Sequence, residues 1–207
     1  DVFITHPEWD TICWEWAEQI PSEISFFEYE NDATEAVIQS INNGCFLVNH
    51  RDHGESKNAD INYNDGWSHP AFDSTHIGQL NNGKMLPVMF SLNCMTGWFD
   101  GATETQMDTL YWNYQTGNFD CLGELLLSQD SAGVVGFIGA TRNTRSGYND
   151  ELCYGMFDAI WEDFDLFNNE IQTPIYKLGA VKEYGLLYML NKFYLGNAAT
   201  NYNYGVF

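Results

Sequence analysis

Basic residues are scarce in this chain of 207 residues. It has 8 lysines and arginines against 29 aspartates and glutamates, and its formal net charge at pH 7 is −21. A surface of that charge repels phosphate backbones, so the composition argues against a nucleic-acid partner. An acidic surface favours solubility and attracts cationic substrates. An ordinary acidic secreted surface is the simpler explanation of the charge.

Long apolar runs are also missing. No segment approaches the roughly 20 consecutive apolar residues that a membrane helix needs, so we expect no membrane-spanning segment and no membrane partner. The first residues show no signal-peptide pattern, and the sequence starts at Asp1 rather than at methionine. We therefore expect it to be an excised or processed part of a longer precursor.

The cysteines follow no metal-binding spacing. There are five of them, and no Cys-x-x-Cys or zinc pattern occurs. Cys13, Cys121 and Cys153 fall in segments with a helical pattern, and Cys45 falls in a predicted strand. We interpret these four as buried apolar residues. One disulfide among them is compatible with the pattern, but the sequence does not assign it.

Apolar residues make up 44% of the chain and aromatic residues 16%, enough for a substantial core. Short apolar runs bounded by Gly and Asn predict core strands of a parallel sheet at residues 44–49, 86–92 and 133–140, with a further strand at 23–29. Helical patterns alternate with them, at residues 9–19, 32–44, 75–80, 120–127, 150–161 and 176–195, with Asp32, Asp120 and Asp150 as N-caps. This alternation predicts a single α/β domain over residues 1–207, a mostly parallel sheet with helices on both faces.

Two of the predicted core strands run into reactive residues. His53 and Gly54 follow the first strand, and Cys94 follows the second. Neighbouring strands lie about 4.8 Å apart, so if these two are neighbours the imidazole and the thiol emerge side by side at one sheet edge. The thiolate is the nucleophilic form, and the histidine takes the thiol proton and returns it to the leaving amine. The backbone N–H groups of Gly54 and Cys94 are the candidate oxyanion hole.

This pattern favours a cysteine peptidase with a His53–Cys94 dyad over two rivals. Singly, a cysteine after a strand is usually a small buried residue and a His-Gly pair is usually a turn. A metal-dependent hydrolase is one rival, because six residues are of ligand type but match no familiar zinc spacing: His50, Asp52, His53, Asp60, His69 and His76. A catalytically inactive binding module that uses the many Trp and Tyr residues is the other.

Two sequence blocks resemble a known family. Residues 49–56 (NHRDHGES) resemble the NYxGHGS block of gingipain-type cysteine peptidases, and residues 93–100 (NCMTGWFD) resemble their NCxTGxFD block. Residues 121–127 and 133–141 are similar to the helix and strand that follow in that family, so the resemblance covers about residues 23–195. It implies a caspase-like fold, endopeptidase activity, secretion and the His53–Cys94 dyad. His53 precedes Cys94 by 41 residues, the same order as in caspases.

The resemblance carries expectations about cofactors and partners too. The chemistry requires no cofactor, but family members often bind calcium, and Asp60, Asn62 and Asp65 offer the oxygen ligands that calcium prefers. Their spacing departs from an EF-hand, and a polar turn is the alternative. The chain resembles the carboxyl-terminal part of the catalytic domain, in which residues 1–5 are at most a remnant of the first strand. The missing upstream portion is a candidate partner chain from the same precursor.

The three arginines bear on specificity. Arg51 lies two residues before His53, where it and Asp52 replace the small residues usual in the family. Five residues beside the dyad or in the loop after the third core strand are substrate-binding candidates: Arg51, Asn93, Thr141, Arg142 and Arg145. A guanidinium pairs well with a carboxylate, so cleavage after acidic residues is one prediction, and anchoring of acidic loops is the other role for these arginines. The resemblance implies cleavage after Arg or Lys, which we take as the leading prediction.

Overall fold

The chain divides into two compact units, residues 1–142 and 143–207. The computed structural model describes the following residues of these units: 2–5, 11–14, 26–54, 66–99, 120–161, 173–193, 205 and 207. Within those ranges, no helix has the length and apolar character that crossing a bilayer requires.

The first unit is built on a sheet with the strand order β2-β1-β3-β4-β5. The strands are β1 Val2–Thr5, β2 Thr11–Trp14, β3 Leu47–His50, β4 Val88–Ser91 and β5 Gly136–Gly139. The last three are parallel, whereas β1 pairs antiparallel with β2 and with β3. His50, Ser91 and Gly139 end the parallel strands and lie side by side in the register. The loops that follow these strands therefore leave the sheet at the same edge.

One face of the parallel strands packs against helices of the first unit. These are α1 Phe26–Asn43, α2 Ser74–Ile77 and α3 Leu122–Leu127. Val48 on β3 and Met89 on β4 lie opposite each other in the register, so their side chains point to the same face of the sheet. Both join a core cluster with residues from all three helices, including Val37, Ile77 and Leu122. Burial of each such side chain contributes about 1.5–3 kcal/mol, which fixes the sheet against the helices.

The amino-terminal half of the unit differs from the sequence predictions. Thr11–Trp14 is strand β2, although the helical pattern predicted a helix over 9–19. Its β-branched and aromatic residues suit a pleated strand, and pairing with β1 overrides the local pattern. The strand predicted over 23–29 is also wrong from Phe26 onward, because α1 begins there and Asp32 lies inside the helix rather than at its N-cap. Short apolar runs fit the helical period and the strand period equally well, so they do not by themselves distinguish a helix from a strand.

The end of α1 and the later elements agree better with the sequence. The predicted helix end at Gly44 is confirmed: its φ is +90°, and its N–H donates to the Ile41 carbonyl at 3.1 Å. At α3 the cap is Cys121 rather than Asp120, and the Glu124 carboxylate accepts the Cys121 backbone N–H at 2.9 Å. Of residues 1–5, expected as a strand remnant, Val2–Thr5 form β1 beside β3.

The second unit contains two packed helices, α4 Ser146–Ile160 and α5 Leu178–Phe193. α4 begins one turn before the predicted Asp150, after the N-cap Arg145. The helices approach closely where Gly155 and Gly185 meet, because a Cβ on Gly155 would lie 2.8 Å from the Gly185 Cα. The Tyr184 hydroxyl donates to the Asp158 carboxylate across the pair at 2.8 Å.

Candidate active site

The two predicted catalytic loops meet at the carboxyl edge of the sheet. A Cβ added to Gly54 would overlap the carbonyl oxygen of Cys94 and would lie 3.2 Å from the Thr96 side chain. The backbone of the His53-Gly54 segment therefore lies directly against the Cys94 turn. Only glycine permits this approach. The structure thus brings together the two segments that the sequence singled out.

His53 projects from this contact toward solvent. Its side chain is 70% exposed, and its Nε2 lies 3.9 Å from the Asp52 carboxylate, which is too long for a hydrogen bond. The His53 carbonyl accepts a hydrogen bond from the Ser68 N–H at 3.0 Å, next to an isolated bridge between Gly54 and Trp67. The Gly54 N–H is not a partner in the hydrogen bond between Ser68 and His53. The backbone of the loop is thus fixed while the imidazole stays accessible.

Cys94 sits in a turn whose backbone conformation is unusual. Met95, the next residue, has φ +58°, which is uncommon for a residue with a side chain and is typical of strained functional turns. Its N–H donates to the Arg142 carbonyl at 3.1 Å, and the Gly97 N–H donates to the Ala140 carbonyl at 2.9 Å. The segment after β5 therefore holds the turn. Cys94 itself is partly exposed.

A buried hydrogen-bond network lies beneath the turn, and it was not predicted. His50 is fully buried and stacks on Trp67, with ring centroids 4.0 Å apart. The Asn93 amide nitrogen lies 2.7 Å from His50 Nδ1, and His50 Nε2 lies 3.1 Å from the His69 carbonyl. Burial, together with the charges of Arg51 and His69, lowers the pKa of His50 to about 3, although its bond to the His69 carbonyl opposes the shift. His50 is therefore neutral at physiological pH.

The other end of Asn93 completes this network. Its Oδ1 accepts hydrogen bonds from the Thr96 hydroxyl at 2.7 Å and from the Ser91 hydroxyl at 3.1 Å. The Trp67 indole N–H donates to the Ser91 hydroxyl at 2.8 Å. One feature of the sequence could have indicated this network: two core strands end in polar residues, β3 in His50 and β4 in Ser91. Nothing in the sequence placed Trp67 between them.

The predicted substrate-binding residues fall in different environments. Asn93 is only 1% exposed, and its amide is occupied by the buried network, so its side chain does not face a substrate. Arg142 lies with its guanidinium 5.6 Å from the centre of the Trp98 ring and donates to the Thr141 carbonyl at 2.6 Å. Thr141 and Arg51 are partly exposed. Arg145 is exposed and belongs to the second unit.

The described residues offer little support for the metal-hydrolase alternative. No group of three or more His, Cys, Asp or Glu side chains among them could hold an ion. His50 and the His69 carbonyl bond to each other, and His76 caps α2, where its ring lies 2.8 Å from the Asp73 carboxylate. The calcium prediction cannot be placed in the same way, because Asp60, Asn62 and Asp65 lie outside the described residues.

The thiols differ in their surroundings. In the described part of the chain Cys45, Cys94, Cys121 and Cys153 are thiols rather than disulfide sulfurs. Burial raises the pKa of Cys45 and of Cys121 to about 12. This agrees with their interpretation as buried apolar residues. Cys94 alone of the four lies at the sheet edge next to a histidine loop.

Comparisons with known proteins point to one family. The model of peptidase family C25 matches residues 6–207. Gingipain R2 of Porphyromonas gingivalis (strain ATCC BAA-308 / W83) is 28% identical over 111 residues, which are 52% of this chain and 12% of that protein. Gingipain R1 of the same species is 33% identical over 63 residues, which are 30% of this chain and 6% of that protein.

Solved structures agree in fold. The Arg-specific cysteine proteinase gingipain R matches with a TM-score of 0.60 at 21% identity, covering 84% of this chain and 33% of that one. A complex of the Porphyromonas gingivalis RgpB pro- and mature domains matches with a TM-score of 0.60 at 22% identity, covering 84% of this chain and 34% of that one. The chain thus spans about a third of the solved gingipain chains. These matches confirm the predicted caspase-like α/β fold, and the chain belongs to peptidase family C25.

Proposed function

We propose that this chain carries the catalytic dyad of a cysteine endopeptidase, with Cys94 as nucleophile and His53 as general acid and base. The observation that carries the proposal is the close approach of Gly54 to the Cys94 carbonyl, which joins the two loops at one sheet edge. Membership of peptidase family C25 supports it. The chain spans only part of the length of its relatives, so endopeptidase activity of the whole protein is part of this proposal.

The reaction divides into two steps. His53 accepts the Cys94 thiol proton, and the thiolate attacks the scissile carbonyl carbon to form a tetrahedral intermediate. The Gly54 and Cys94 N–H groups stabilise its oxyanion, and the amine leaves with the proton that His53 returns. Water then hydrolyses the thioester and regenerates the thiol. The exposed imidazole of His53 is suited to this exchange of protons with substrate and water.

We propose cleavage after a basic residue as the leading specificity. The net charge of −21 attracts cationic substrates, and one structural relative is described as Arg-specific. The environment of Arg142 weighs against the acidic alternative, since this guanidinium lies over an aromatic ring and bonds to a backbone carbonyl. Arg51 and Arg145 keep the alternative open.

The dyad is tested by substitution of each thiol. Cys94→Ala should abolish peptide cleavage while the melting temperature stays within a few degrees of wild type. Cys153→Ala is the matched control, because that thiol lies on α4 and has no part in the proposed chemistry. Full activity of the Cys94→Ala protein would refute the proposal. Lack of Cys94 reaction with an electrophilic peptide would instead favour the inactive binding module.

The specificity is tested with fluorogenic peptides that end in Arg, Lys, Asp or Ala before the reporter. We expect turnover of the Arg and Lys peptides, unchanged in Arg142→Ala and Arg145→Ala proteins. A preference for Asp that these two substitutions remove would instead establish cleavage after acidic residues.

Three further expectations belong to the same proposal. Secretion and calcium binding follow from the family resemblance alone. An upstream chain of the same precursor is the proposed partner, and the solved complex of pro- and mature domains in a relative is consistent with such partners in the family. Co-purification of this chain with an upstream fragment, and mass spectrometry of the complex, would test the last of these.

A further inference from the structure

The buried histidine, His50, has no part in the proposed chemistry and yet occupies the centre of the site's support. Its side chain is inaccessible to solvent and makes hydrogen bonds at both ring nitrogens. A buried polar group costs free energy unless its bonds are complete, so a histidine here requires a specific set of partners. Those partners come from both loops of the candidate active site.

The direction of each hydrogen bond follows from the partners. The His69 carbonyl only accepts, so His50 Nε2 carries the proton and donates to it. His50 Nδ1 then accepts from the Asn93 amide N–H, which orients the Asn93 oxygen toward Ser91 and Thr96. The network is satisfied only with neutral His50 in this tautomer, because a second ring proton would face the Asn93 N–H.

The network holds the nucleophile turn at both ends. Asn93 and Thr96 flank Cys94 and Met95, and the two are joined by a 2.7 Å hydrogen bond. Met95 between them has a positive φ, a conformation that persists only when its surroundings impose it. Loss of the Asn93 anchor therefore frees the turn that presents Cys94.

The same network reaches the histidine loop. His50 is three residues before His53, and its stacking partner Trp67 forms the bridge to Gly54. One imidazole thus contacts groups that fix both loops. The distance between the dyad members depends on both, and a misplacement of about 1 Å can cost 10²-fold in rate.

We propose that His50 is a positioning residue: it holds the Cys94 turn through Asn93 and the His53 loop through His69 and Trp67. Its catalytic consequence rests on the proposed peptidase function, whereas its effect on the Cys94 turn does not. His50 touches no reacting atom, so it acts through the geometry of the residues that do.

Three substitutions at one position separate its contacts. His50→Phe keeps a ring to stack on Trp67 and removes both hydrogen bonds. His50→Asn places an amide near the Nδ1 position, and His50→Gln places one near Nε2. Asn82→Ala is the control, because Asn82 is equally buried and bonds to Gly133 at the opposite edge of the sheet. It loses buried hydrogen bonds without contacting the site.

The measurements are kcat and KM, the rate of Cys94 alkylation by iodoacetamide, and amide hydrogen exchange at Met95 and Gly97. We expect His50→Phe to lower kcat by at least about 10-fold with KM within about twofold. Alkylation should slow, because a displaced His53 no longer favours the Cys94 thiolate, and exchange at the two amides should quicken, because the turn is no longer held. His50→Asn should recover more than His50→Gln, because the bond to Asn93 governs the turn. Asn82→Ala should change none of these beyond its effect on stability.

The outcomes distinguish the two proposals. Normal kcat, alkylation and exchange in His50→Phe, with a loss of stability like that of Asn82→Ala, would overturn the positioning role. If His50→Phe does not fold, the comparison of the other two variants decides. The positioning role is overturned if His50→Gln retains as much activity as His50→Asn, or more. If the wild-type protein cleaves no peptide, the peptidase proposal fails, while amide exchange at Met95 and Gly97 still decides whether His50 holds the turn.

Discussion

Acid should destabilise this protein through His50, and the magnitude follows from its burial. The pKa of this histidine falls from 6.5 in the unfolded chain to about 3 in the folded protein. Between these values the unfolded state binds a proton that the native state does not, so stability is complete above pH 6.5 and decreases as the pH falls. Each pKa unit corresponds to about 1.4 kcal/mol. At pH 5 the loss relative to pH 8 is therefore about 2 kcal/mol.

A His50→Gln protein isolates this effect from the many carboxylates, whose titration is common to both proteins. Between pH 8 and pH 5 we expect the wild type to lose about 2 kcal/mol more unfolding free energy than the His50→Gln protein loses. Urea titration followed by tryptophan fluorescence at both pH values measures it. His53→Gln is the control. The His53 ring is exposed, so its substitution should change the unfolding free energy by no more than about 0.5 kcal/mol.

A pH-independent difference between wild type and His50→Gln would refute the reasoning. It would mean that the native protein accommodates a charged His50 as easily as the unfolded chain does. The neutral network beneath Cys94 could then not exist as described. NMR of the ring nitrogens offers an independent check, since the native imidazole should carry its proton on Nε2 throughout this pH range.

The remaining predictions concern glycines and thiols. Gly54→Ala should lower kcat/KM by at least about 10²-fold, because a Cβ there overlaps the Cys94 carbonyl and separates the two loops; peptide kinetics against Gly179→Ala, which has open space, checks this. Gly185→Ala should destabilise the second unit by about 1–3 kcal/mol, because its Cβ would lie 2.5 Å from a side-chain atom of α4. Gly179→Ala on the same helix should stabilise by up to about 1 kcal/mol, and thermal unfolding that ranks the two equally would contradict the helix packing. Iodoacetamide at pH 8 should label Cys94 before Cys45, whose pKa is raised to about 12 by burial; mass spectrometry showing the reverse order would contradict it.

Local sequence was sufficient where a signal and its structural consequence lie within a few residues. The apolar runs bounded by Gly and Asn predicted β3, β4 and β5, and Gly44 predicted the end of α1. The order of strands and loops then predicted that His53 and Cys94 would leave the same sheet edge. The family blocks around these two residues are equally local, and the match to peptidase family C25 confirms the family that they indicated.

Local sequence failed where distant segments decide the outcome. Thr11–Trp14 became a strand because β1 pairs with it, and that partner is not visible in the helical pattern of residues 9–19. Phe26 became the start of α1 although its segment predicted a strand, since both the helical and the strand period fit its apolar neighbours. The predicted substrate role of Asn93 placed a side chain at the surface that the structure buries.

The sequence by itself thus determined that a histidine loop and a cysteine loop follow core strands of the sheet. Only the tertiary structure decided how they are held. His50, Trp67 and Asn93 are far apart in the chain, and their hydrogen bonds exist because β3 and β4 end side by side and residues 66–72 fold back against them. Hydrogen bonds are directional and depend on distances that no local pattern encodes, whereas burial of apolar residues follows a period that the sequence displays.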